Sequence, residues 1–232
     1  GAGSAAFLLP AARCDDLRAV AEGALVGAYA WSGRAPAPTA PLERVVVATP
    51  LAGSEESRAV QTRATALAES TTLVRDLVNE PPNRLTPRVF AERARALADD
   101  AGLEVEVLDE TRLREQGFGG IIGVGQGSVH PPFLVRVSWA PERPTQSIAL
   151  IGKGITFDSG GLSLKPSASM PEMKSDMAGA ATVLGAVAAA ARLGLGARVD
   201  AWLALAENMP AADAQRPSDI VTMYNGTTVE VT

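Results

Sequence analysis

The chain has 232 residues, 47% of them hydrophobic and 20% charged, with a formal net charge of −5. That length suits one large domain, or one domain plus part of another, and the balance suits a packed globule. The acidic charge argues against a general nucleic-acid or membrane-surface binder, and no apolar run approaches the ~20 residues of a spanning helix.

Gly1 to Pro10 is apolar without a basic lead-in, so it reads as a strand and turn rather than a signal peptide. Asp15 to Trp31 reads as a helix, with Asp16 as its cap and Leu17, Val20, Ala24, Leu25 and Ala28 on one face. Ser32 to Pro41 is rich in Pro and Ala and reads as an exposed loop. Val45 to Ala48 is a short strand, and Ser54 to Val78 a helix. Asn79-Glu80-Pro81-Pro82-Asn83 ends that helix, and a domain boundary is expected near it.

Beyond it, strands and helices alternate. Thr86-Pro87 opens a helix, as N-cap and first-turn proline, and Gly102 closes it. Glu104 to Leu108 is a strand, and Glu110 to Gln116 a short helix stopped by Gly117. Phe133 to Trp139, Ile148 to Gly152 and Val199 to Ala206 are strands. Met177 to Leu193 is an Ala-rich helix ended by Gly194. Asn225-Gly226 between Ile220–Tyr224 and Thr227–Thr232 marks a hairpin. The pattern predicts an α/β domain whose sheet has helices on both faces.

The single cysteine, Cys14, rules out a disulfide within the chain and points to a reducing cytoplasm. His130 is the only histidine, so a Ser-His-Asp or Cys-His mechanism would rest on it, and a metal site would be built mainly from carboxylates. The sharpest chemistry lies in the strand Ile148–Gly152 and the Gly-rich stretch after it, where Lys153 and Asp158 are expected on a loop. Lys165, Glu172, Lys174 and Asp176 follow before the Ala-rich helix. Taken singly, each reads as a solvated charge. Together, the carboxylates suit a pair of hard metal ions. A lysine beside a dication can donate its amine lone pair, and a second lysine that stays charged can stabilise an oxyanion. Lys153 is followed by Gly154 rather than Ser or Thr, which excludes a P-loop. Gly123-Val124-Gly125-Gln126-Gly127 lacks the third glycine of a dinucleotide fingerprint and is expected to be a turn.

Lys153-Gly154-Ile155-Thr156-Phe157-Asp158-Ser159-Gly160-Gly161 resembles the central motif of the leucine (cytosol) aminopeptidases, of bacterial type. Leu162 to Lys165, Met173 to Ala181, Asn79 to Asn83, Gly123 to Ser128 and Glu207 to Pro210 resemble further segments in the family's order, from about residue 55 onward. The resemblance implies that Lys153 and Asp176 ligate a tightly held metal and that Asp158 bridges two. It implies that Lys165 is the catalytic lysine at the scissile carbonyl and that Met173 lines the pocket for the first side chain. Glu172 and Lys174 carry no such role and are expected to be solvated. The implied fold is the helix-flanked mixed sheet of the aminopeptidase catalytic domain, incomplete and preceded by the tail of a smaller α/β domain. Residues 1–52 would be that remnant, 53–84 a connecting helix and 85–232 the first part of the catalytic domain.

The implied cofactors are two divalent ions, manganese or zinc, and a bicarbonate. The implied partners are peptide substrates and a homo-hexamer, while the acidic balance weighs against nucleic acid and the lack of a long apolar run against a membrane. The family's next motif, Asn-Thr-Asp-Ala-Glu-Gly-Arg, would supply two more carboxylates and the bicarbonate's arginine, and is expected to follow Thr232. Without it, the chain is expected to bind metal weakly and to lack peptidase activity. The rival readings are a degenerate non-catalytic homologue and a DNA-binding or scaffold hexamer.

Overall fold

A computed structural model describes residues 3–33 and 42–232. Most of the expected loop, residues 34–41, lies outside them. The chain divides into two compact units, Gly1–Asp76 and Leu77–Thr232.

In the first unit, β1 (Ser4–Phe7) and β2 (Arg44–Val47) pair in parallel. Helix α1 (Cys14–Gly27) and the start of α2 (Glu55–Asn79) supply its helices. A small core joins Ala11, Leu17 and Val60 to Val47 and Leu51. Two expectations for α1 fail. The N-cap is Arg13, with no side-chain cap, and Asp15 and Asp16 sit in the first turn, where they complement the helix dipole. The helix also ends at Gly27, short of Trp31, because Gly23 and Gly27 weaken propagation. Helix α2 starts as expected, with the Ser54 hydroxyl accepting the Ser57 N–H at 3.1 Å.

The second unit is built on a four-stranded mixed sheet. Strands β3 (Glu104–Leu108), β4 (Phe133–Trp139), β5 (Ser147–Asp158) and β6 (Arg198–Asn208) lie in the order β3-β4-β6-β5. The β3–β4 and β4–β6 pairs are antiparallel, and β5–β6 is parallel. Helix α3 (Pro87–Ala101) is held by its expected ends. The Thr86 hydroxyl accepts the Val89 N–H, and Gly102 takes a left-handed φ of 65°. It packs beside α6 (Ala178–Arg192) on one face of the sheet. Phe90, Val135, Val137, Leu184, Leu203 and Leu205 are fully buried there. Helices α4 (Glu110–Glu115) and α5 (Gly119–Gly125) cover part of the other face, where Leu108, Leu113, Ile122 and Leu134 form a second cluster. The hairpin β7 (Ile220–Thr222) and β8 (Thr228–Glu230) turns at Gly226, with φ 83°. Helices therefore flank a mixed sheet on both faces, as the sequence predicts.

Two local expectations are corrected. Gly123 to Gly127 is not a simple turn, since Gly123 and Gly125 complete α5. Its glycines allow close approach instead. A Cβ at Gly119 would sit 2.1 Å from the Thr222 carbonyl oxygen, and one at Gly125 3.1 Å from Pro132. Lys153 also does not lie on a loop. Strand β5 continues through it and ends at Asp158, with an irregularity between Ile155 and Asp158.

Candidate active site

The extension of β5 follows from its glycines. A Cβ at Gly152 would lie 2.5 Å from the Cα of Ala180 and 2.6 Å from the Gly179 carbonyl oxygen. A Cβ at Gly154 would meet Leu205 at 2.5 Å. These glycines bring α6 against the strand rather than opening room for a ligand. With Gly152 and Gly154 turned to α6, alternation sends Lys153 and Ile155 to the opposite face. There a cleft of about 430 Å³ is lined by Ile121, Val124, Ile151, Ile155, Lys153 and Asp158.

After Asp158 the chain doubles back. Gly160 and Gly161 take left-handed φ values of 88° and 65°, and a Cβ at Gly160 would lie 2.4 Å from the Ser163 carbonyl oxygen. The Lys165 N–H then donates to the Ser159 carbonyl at 2.9 Å. That turn returns the Lys165 ammonium to Asp158, where it donates to Oδ2, with Met173 Sδ 3.1 Å away. Met173 lies on the 3-10 helix Met170–Ser175. Asp176 follows directly, and its carbonyl accepts the Ile155 N–H at 3.2 Å. This link to β5 sets Asp176 beside Lys153, with Nζ 2.8 Å from Oδ2.

The structure thus gathers all five expected residues at the end of β5 as two linked pairs, with Met173 against Lys165. Glu172 is exposed, as expected. Lys174 is not merely solvated, because its Nζ donates to the Asn79 carbonyl at 2.9 Å. His130 takes part in none of the hydrogen bonds or ion pairs that hold Lys153, Asp158, Lys165 and Asp176. Its backbone N–H donates to the Ser128 hydroxyl, which in turn donates to the buried Glu207. Asn208, which carried no expected role, donates from Nδ2 to Asp158 Oδ1 at 2.7 Å.

Burial pushes the Asp158 pKa up, but hydrogen bonds from Lys165, Gly160 and Asn208 outweigh it and hold the group below the ordinary aspartate value. Asp158 is therefore a carboxylate at neutral pH. Asp176 Oδ2 is buried and receives no hydrogen bond, although Lys153 stands within ion-pair distance of it. The Lys153 ammonium is the cation that offsets the burial of this oxygen, and a metal ion held there would take over that place. These residues fit a hard metal ion, with two carboxylates and a lysine amine that ligates when neutral. Among the described residues, no group of three or more His, Cys, Asp or Glu is placed to hold a metal, so a metal held here would need Lys153 as a third donor.

Comparison with known proteins bears out the family resemblance. Residues 72–232 match the model of the cytosol aminopeptidase family, catalytic domain. A probable cytosol aminopeptidase from Leifsonia xyli is 52% identical over 227 residues, covering 97% of this chain and 46% of that protein. One from Micrococcus luteus is 50% identical, covering 100% and 46%. The chain thus spans about half the length of the curated relatives it matches. Among solved structures, the bottromycin maturation enzyme BotP in complex with Mn is 46% identical, with a TM-score of 0.84 over 94% of this chain and 45% of its own. Leucine aminopeptidase of Caenorhabditis elegans is 30% identical, with a TM-score of 0.87 over 98% and 45%.

Proposed function

The chain belongs to the cytosol aminopeptidase family, and on that premise we propose that the full-length protein is a metal-dependent aminopeptidase. It releases N-terminal residues from peptides, with preference for apolar, leucine-like ones. The observation that carries this reading is the convergence of Lys153, Asp158, Lys165 and Asp176 at the end of β5, inside the matched segment.

Two divalent ions, manganese or zinc, would supply there an acidified water for attack on the scissile carbonyl. Lys153 would hold metal through an amine lone pair, and Asp158 and Asp176 through their carboxylates, with Asp158 shared between the two ions. Lys165 keeps its charge and stabilises the developing oxyanion. Its tie to Asp158 keeps the ammonium close to that place. Met173 borders the site for the first side chain, where its thioether offers an adaptable apolar contact.

Three protein groups do not complete two metal ions. The remaining donors, and the arginine that holds a bicarbonate, are assigned to the rest of the full-length protein. Residues 1–232 alone would then bind metal weakly or not at all and lack turnover. We assign 1–52 to part of an N-terminal domain and 53–84 to a connecting helix. A homo-hexamer acting in the cytoplasm is the expected assembly. Among the described residues, no helix is long and apolar enough to cross a membrane.

Steady-state kinetics on the full-length protein test the role of Lys165. Lys165→Ala is expected to lower kcat by about 10²–10³-fold, the effect of losing one oxyanion donor, with metal content retained. Loss of metal with turnover kept would show the assignment to be wrong.

A further inference from the structure

The Asp158 carboxylate is held from both ends. Its Oδ2 takes the Lys165 ammonium, and its Oδ1 takes two N–H donors, Gly160 at 3.0 Å and the Asn208 carboxamide at 2.7 Å. Asn208 is the last residue of β6 and stands opposite Asp158 across the irregularity in β5. Its backbone acts on the same segment, since its carbonyl accepts from the Ser159 N–H at 3.0 Å and the Ser159 hydroxyl at 2.7 Å. Ser159 is buried, and its hydroxyl oxygen accepts the Gly161 N–H at 3.1 Å. The amide also fits closely, because a Cβ at Gly161 would come within 2.8 Å of Asn208 Oδ1.

Rotation of an aspartate about χ2 is soft, so a carboxylate keeps one orientation only where donors fix it. A carboxamide is suited to this task. It donates without adding a second positive charge beside that of Lys165.

We propose that Asn208 is a positioning residue for the Asp158 carboxylate, fixing its rotation through Oδ1 so that the group faces the metal. This rests on the reading of Asp158 as a metal ligand. Partners of this kind orient ligands, and their loss weakens metal binding by about 10–100-fold.

The experiment is calorimetric titration of Mn²⁺ into the full-length protein and into two variants. Asn208→Leu keeps the side-chain shape without the donor, and Asn208→Ala removes both. The rise in Tm on adding Mn²⁺ gives a second measure of affinity that does not depend on activity. Both variants should keep the far-UV circular dichroism of the unsubstituted protein and bind Mn²⁺ about 10–100-fold more weakly, with a smaller rise in Tm. Undiminished Mn²⁺ affinity in a folded variant overturns the role of Asn208 alone. Loss of the fold in both variants overturns it too, because Asn208 would then be structural. Failure of the unsubstituted protein to bind Mn²⁺ overturns the metal reading and this inference with it.

Discussion

Lys153 and Lys165 carry the same side chain, yet the proposed mechanism asks opposite things of them. Lys153 is 61% exposed and pairs with Asp176, so its amine can leave that pair at little cost. Lys165 is 30% exposed and held between Asp158 and Met173, where the proposal needs a fixed charge. Arginine separates the two roles, because a guanidinium does not deprotonate and offers no lone pair. Lys153→Arg should strip the protein of metal during gel filtration, whereas Lys165→Arg should keep it, with elemental analysis as the readout. Asp200 is a different kind of aspartate. It accepts from Arg136, Arg198 and Ser138 and lies on the sheet remote from the site. Burial pushes its pKa up, but Arg198, Ser138 and Arg136 outweigh it and hold the group well below its ordinary 3.8. A lowered folded pKa stabilises the protein above the unfolded value, and that stability is lost as pH falls through the folded value. Asp200→Asn should therefore cost about 2 kcal/mol at pH 7, judged from loss of a charged hydrogen-bond partner. Denaturant titrations should show that difference narrowing only below about pH 4.

The elements differ in how plainly the residues announce them. Thr86-Pro87 and Gly102 mark both ends of α3 because caps are local chemistry, and Asn225-Gly226 marks its hairpin for the same reason. Strand β5 is hidden because Gly152 and Gly154 resemble loop residues, while their real purpose is the approach of α6 from residues far along the chain. Helix α5 is hidden likewise, with glycine at positions 119, 120, 123 and 125. Types and spacing alone group the four charged candidates with Glu172 and Lys174, and only the family resemblance separates them. Asn208 could not be singled out, since its partner lies fifty residues away and only the β5–β6 register brings them together. The packing account is open to a direct trial. Gly152→Ala would set a Cβ 2.5 Å from backbone of α6, so an overpacking cost of about 1–3 kcal/mol is expected. Because Asp176 leads into α6, the same change should also weaken metal binding. A thermal midpoint equal to that of the unsubstituted protein would show that the contact is not tight.

At the scale of the molecule, the second unit supplies a scaffold and, on the proposed reading, one set of donors. The sheet, covered by α3 and α6 on one face, presents Lys153 and Asp158 from a strand rather than a mobile loop, which suits precise metal geometry. Asp176 is tied to that strand through the Ile155 N–H, which links the two pairs. The chain spans 46% of the Leifsonia relative, and the proposed two-ion site needs donors beyond Lys153, Asp158 and Asp176. The most direct measurement is a crystal structure of the full-length protein soaked in Mn²⁺, with the ions placed by anomalous scattering. The account predicts an ion bonded by Lys153 Nζ and by Asp158 and Asp176 carboxylate oxygens, with the Lys153–Asp176 ion pair broken. Mn²⁺ bound elsewhere, with that pair intact, would contradict it.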